Sequence, residues 1–112
     1  MTLLVHDHET DLGIFNATIR VYTNPPTADA EFSDDCKFKK DFITHRPDFL
    51  DFTGHDGTAK VELYFTDTTD AGGQTFHFYV AKHGYTTNCR KFKVTFKQTK
   101  TMTVDLGIGP VL

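Results

Sequence analysis

Tryptophan is missing from this sequence, cysteine occurs only twice, and apolar runs stop after a few residues. Each shortage excludes something. A membrane-spanning helix needs about 20 consecutive apolar residues, and no stretch approaches that length. Basic residues are also scarce: 12 Lys and Arg stand against 15 Asp and Glu, giving a net charge of −3 and a pI near 6.0. A nucleic-acid-binding surface normally carries a basic excess, so no nucleic-acid partner is expected. The opening MTLLVHDHETD has only a short apolar run at Leu3–Val5 and then meets acids, which is not the pattern of a secretory leader. Intracellular assembly is therefore the expectation, with secretion the alternative if a leader is supplied from elsewhere.

The two cysteines, Cys36 and Cys89, lack the CxxC spacing of a zinc or thioredoxin-type site. A disulfide between them would require Cα atoms within about 7 Å. Without a leader, two buried free thiols are the expectation. Signatures of catalysis are absent too: there is no GxSxG, no HExxH and no glycine-rich phosphate loop. His83 and Lys82 lie close in sequence to Cys89, but a nucleophile also needs an oriented base and an oxyanion hole, and nothing marks either. The expectation is a non-enzyme that needs no cofactor.

What is present is alternation. Phe15, Ala17, Ile19 and Val21 fall on one face of an extended segment, and Asn16, Thr18, Arg20 and Tyr22 on the other. The same period of two runs through Ala59–Phe65, Phe76–Ala81, Phe92–Lys97 and Met102–Leu106, with a short strand at Leu3–Val5. No window keeps a helical period over ten residues. Between these runs stand Asp11-Leu12-Gly13, Asn24-Pro25-Pro26, Gly54-His55-Asp56-Gly57, Asp70-Ala71-Gly72-Gly73 and Gly107-Ile108-Gly109-Pro110, whose Gly, Pro, Asn and Asp residues supply turn geometry. The 112 residues predict one all-β domain, residues 1–112, a two-sheet sandwich of about seven strands with an aromatic core drawn from 11 Phe and 4 Tyr.

Residues 27–53 fit this pattern least. They mix charges with five phenylalanines, and read as one strand near 37–44 followed by a Phe-rich connection past Pro47. Long connections in small domains are often functional. Phe42, Arg46, Phe49, Leu50 and Phe52 are accordingly the candidate partner-binding residues.

Other side chains could hold an ion. His6-Asp7-His8 places two imidazoles on one strand face, with His55 or His77 as a third ligand, and Asp7-x-Glu9-x-Asp11 spaces carboxylates as calcium loops do. His6, His8, Asp7, Glu9 and Asp11 are thus the candidate ligands. The EF-hand glycine and terminal Glu are missing, however, and the expectation is that no metal is held. Lys91, Lys93 and Lys97 share a face opposite Phe92, Val94 and Phe96, as on the solvated side of an outer strand. Asn16-Ala17-Thr18 matches the N-glycosylation sequon, a short motif common by chance.

Four segments carry a family resemblance: Ala17-Thr18-Ile19-Arg20-Val21; Thr53-Gly54-His55-Asp56-Gly57-Thr58-Ala59-Lys60-Val61; Tyr79-Val80-Ala81-Lys82-His83-Gly84-Tyr85; and Val104-Asp105-Leu106. In these the chain resembles the carboxypeptidase regulatory-like, or transthyretin-like, β-sandwich domain from residue 3 to 107, apart from residues 27–53. It departs from that pattern at Leu4-Val5-His6-Asp7-His8, where the family opens on a Val-x-Gly-x-Val. The resemblance implies an immunoglobulin-like sandwich, generally non-enzymatic, used as an accessory or adhesive module. The functions to weigh are a structural or protein-binding module, including a virus or phage particle-surface or accessory protein, and a carbohydrate-binding adhesin domain of a secreted protein. In the second, Tyr22, Tyr64 and Tyr79 would stack on sugars. A small metal-dependent hydrolase using His6, His8 and His55 ranks below both. In the stretch Lys82-His83-Gly84-Tyr85, Gly84 is expected to supply backbone freedom for a strand corner. Tyr85 would pack its ring there while its hydroxyl meets a backbone partner.

Overall fold

A computed structural model of the chain describes residues 1–24, 43–66, 73–95 and 100–109. Seven strands occur among them: β1 (Thr2–Asp7), β2 (Thr18–Tyr22), β3 (Phe49–Phe52), β4 (Thr58–Lys60), β5 (Gln74–Ala81), β6 (Asn88–Val94) and β7 (Thr101–Leu106). They form two sheets, one ordered β4-β1-β7 and the other β3-β2-β5-β6. Every paired contact is antiparallel except β1 with β7, which run parallel with Val5 beside Val104 and His6 beside Asp105.

The alternation explains how the sheets meet. Leu3, Val5, Ala59, Val61, Val104 and Leu106 from one sheet face Ile19, Val21, Phe76, Phe78, Val80 and Val94 from the other, all buried in one cluster. Phe65 and Phe92 close over this cluster by edge-to-face contacts with Phe76 and Phe78, at 5.0 and 5.1 Å between ring centroids. The all-β sandwich expected from the sequence is the fold observed.

Three expectations are corrected. Phe15 does not continue β2 into the core: Asn16 adopts a positive φ of 59°, the backbone turns, and Phe15 is left half-exposed, stacked on His55 at 4.4 Å. Residues 49–52, expected as connection, are instead the outer strand β3, paired with β2 so that Val21 meets Phe49 and Ile19 meets Asp51. Of the strand expected near 37–44, residues 37–42 lie outside the described residues, and Ile43 and Thr44 are helical.

The crossings between sheets are tied at one residue. Thr53, which follows β3, is buried; its hydroxyl donates to the Ile14 carbonyl at 2.6 Å and accepts from the Ala17 amide at 2.8 Å. It thereby joins the β3–β4 crossing to the β1–β2 crossing. Four residues later Gly57 adopts a φ of +78° so tightly packed that a Cβ would lie 2.4 Å from the Val5 carbonyl oxygen. These contacts give physical content to the Thr53…Gly57-x-Ala59-x-Val61 pattern.

Candidate functional site

The outer face of the four-stranded sheet divides into a covered half and an open half. On the covered half, Tyr22, Tyr79 and Cys89 form a second buried cluster with Ala81. Strand register brings it about, since Tyr79 lies between Arg20 on β2 and Cys89 on β6. The Tyr22 hydroxyl donates to the His45 carbonyl at 3.2 Å, and Arg20 reaches the Ile43 carbonyl at 3.5 Å, so residues 43–45 lie over this face. Burial pushes the phenol pKa of both Tyr22 and Tyr79 up. Neither ring is available to stack on a sugar; of the three tyrosines expected to do so, Tyr64 alone is exposed.

Cys89 is disulfide-bonded and 2% exposed. This overturns the expectation of free thiols: the Cys89 sulfur is bonded, and strand pairing seats it beside Tyr79 in the closed cluster. The chain's other cysteine, Cys36, lies outside the described residues. A bonded, enclosed sulfur also cannot serve as a nucleophile with His83 and Lys82.

On the open half, Leu50 and Phe52 project outward from β3, 48% and 49% exposed. They sit opposite Arg20 and Thr18 of β2, and Ile43, also about half exposed, adjoins through Arg20. Phe49 turns the other way and packs against the core. Arg46 is exposed, and Phe42 lies outside the described residues. Asp51 points to the inner side of this outer strand, beside Ile19. Inward charges on outer strands oppose indiscriminate edge pairing, so the backbone edge is guarded while the apolar side chains remain on display.

At the end of the sandwich, the corner expected at Gly84 is present, with φ +89°. The Tyr85 ring packs against the core, but its hydroxyl finds a carboxylate rather than backbone: it donates to Asp7 Oδ2 at 2.7 Å. The other Asp7 oxygen accepts from the Glu9 and Thr10 amides. These bonds, that from Tyr85 foremost, hold the Asp7 pKa below its ordinary value, and the same contact raises that of Tyr85. Asp7 is therefore a structural acceptor. Beside it opens a pocket of about 400 Å³ whose walls include Leu12, Phe15, Lys82 and Tyr85.

Of the ion-ligating candidates, the fold brings His6 and Asp11 together and adds Asp105, with the three donor atoms within 4.8 Å of one another. His8, Glu9 and His55 do not join this group, the one such group among the described residues. Asp105 could not be found by local spacing, because it arrives through parallel pairing of strands distant in sequence. On β6, Lys91 and Lys93 are exposed on the face opposite Phe92 and Val94, as expected, and Lys97 lies outside the described residues.

No protein-family model matches the chain, and none of the curated proteins compared with it matches. Among the described residues, no helix is long and apolar enough to cross a membrane.

Proposed function

We propose that this chain is a non-enzymatic β-sandwich module of the immunoglobulin-like, transthyretin-like kind, which binds a protein partner or further copies of itself through the open half of its four-stranded sheet. The observation that carries this reading is the pair of half-exposed side chains, Leu50 and Phe52, side by side on an outer strand with Ile43 adjoining. Adjacent exposed apolar groups on a rigid strand are what an interface core requires, and Arg46 and Arg20 provide a polar surround. A virus or phage particle-surface or accessory protein is the setting this reading suits. The Thr53, Gly57 and Tyr85 contacts support membership of the sandwich family that the sequence resembles.

A secreted adhesin is the second reading, and the Cys89 disulfide favours it, since such bonds persist in oxidising compartments. The buried Tyr22 and Tyr79 weigh against sugar stacking on that face.

Native mass spectrometry and sedimentation velocity of the wild type and the Leu50→Lys/Phe52→Lys variant test the proposal. A defined oligomer that the double substitution dissociates, with unchanged circular dichroism, supports it. If the wild type is monomeric, a photo-crosslinking residue at position 50, expressed in the source cells, should give one defined protein adduct that Phe52→Lys abolishes. Absence of both oligomer and adduct refutes it.

A further inference from the structure

We propose that His6, Asp11 and Asp105 form a divalent-cation site of the zinc class on the outer face of the three-stranded sheet. The parallel register sets His6 directly beside Asp105 on neighbouring strands, which fixes two donors on a rigid surface. Asp11 comes from the loop after β1, which the bonds Asp7 N–Leu12 O and Asp11 N–Asp7 O fold back over the strand end. The three donor atoms converge to within 4.8 Å.

Two features favour a bound ion over a plain surface ion pair. His6 Nδ1 and Asp11 Oδ1 stand 3.4 Å apart, longer than the roughly 2.7–2.9 Å of a charge-assisted hydrogen bond. Ligand atoms held about 2.1 Å from a tetrahedral ion lie about 3.4 Å from each other, the spacing of the His6–Asp11 pair, and the exposed Asp105 carboxylate closes on the same point by a small side-chain shift from within 4.8 Å. In addition, two carboxylates are gathered here, and no Lys or Arg forms an ion pair with either among the described residues. A cation between them relieves that repulsion. One imidazole nitrogen with two carboxylate oxygens suits zinc, leaving a fourth position for water, whereas calcium prefers an all-oxygen shell. The site is separate from the Leu50–Phe52 face, so the two proposals stand independently.

Titration calorimetry of chelator-treated protein with zinc chloride, paired with thermal unfolding, tests the site. The wild type should bind one zinc per chain and melt several degrees higher in its presence. Asp105→Asn and His6→Gln should each weaken binding by roughly tenfold or more, while His8→Gln binds as the wild type does. Because Asp105 is exposed, the metal-free Asp105→Asn protein should melt with the wild type, which separates loss of a ligand from loss of fold. No zinc binding, zinc binding that survives Asp105→Asn and Asp11→Asn, or calcium binding that zinc does not displace would each overturn the proposal.

Discussion

Replacing Thr53 by valine removes one oxygen and little else. Valine keeps the β-branched shape and the preferred rotamer, so the buried site stays filled. The Ile14 carbonyl then loses its donor and the Ala17 amide its acceptor, both in a part of the fold where Ile14, Ala17 and Thr53 are all buried. A typical hydrogen bond contributes about 1 kcal/mol net, and a buried group left without a partner costs about 1–3 kcal/mol. For two such groups Thr53→Val should therefore destabilise the domain by about 2–4 kcal/mol. Small domains have only about 5–15 kcal/mol in total. Thr53→Ser is the informative companion: it keeps both hydrogen bonds and loses one methyl, a cost of about 1 kcal/mol. Urea unfolding followed by circular dichroism, with linear extrapolation, measures both variants. If Thr53→Val lies within about 0.5 kcal/mol of wild type, or is no worse than Thr53→Ser, then the hydroxyl does not tie the two crossings together and the account of this corner is wrong.

Three further outcomes are expected. Gly57→Ala should cost about 3 kcal/mol or more in chemical unfolding, because a left-handed residue is strained and its Cβ meets the Val5 carbonyl; Gly84→Ala, at φ +89° with nothing within 4 Å, should cost only about 1–2 kcal/mol. Equal losses for the two would refute the close packing at Gly57. Asp7 has a folded pKa lowered from 3.8, so its contribution is present above that value and is lost as pH falls through the folded pKa. The melting temperature should therefore drop on acidification below about pH 4, less steeply in Asp7→Asn, with Asp56, also lowered, supplying part of the remaining slope; parallel curves would refute the role given to the Tyr85–Asp7 bond. Reduction of the disulfide at Cys89 should lower stability by roughly 4 kcal/mol, the loop entropy released if Cys36 closes a ring of about 50 residues, and identical guanidinium midpoints with and without reductant would contradict it.

Where side chains alternate toward a shared core, the sequence already contains the strand, as in β1, β2, β5, β6 and β7. β3 escaped because Phe-Leu-Asp-Phe places an acid on the inner side and two large apolar groups on the outer, the reverse of the usual sign. Phe15 misled in the opposite way: its parity matched the core, but the left-handed Asn16 turned the chain between Phe15 and Ala17. The outward parity of Tyr22 and Tyr79 was legible, yet their burial was not, since it depends on residues 43–45 folding back over the sheet. Of the ion cluster, His6 and Asp11 stand out locally, while Asp105 belongs to it only through the tertiary register of β1 with β7. Leu50 and Phe52 stand out in the sequence together with Phe49, and only the side of β3 that faces in separates them from it.

The parallel pairing of β1 with β7 also governs when the protein can fold. β1 is the middle strand of its sheet, and its six-residue partner, β7, lies about a hundred residues further along the chain. During synthesis Leu3 and Val5 leave the ribosome about a hundred residues before their partners Met102 and Val104. Until then β1 has at most the three-residue β4 beside it, with its other flank an unpaired template for foreign strands. Assembly is thus postponed until β7 has emerged and is completed in one cooperative step, with the slow, millisecond-to-second closure typical of sandwiches dominated by distant pairings.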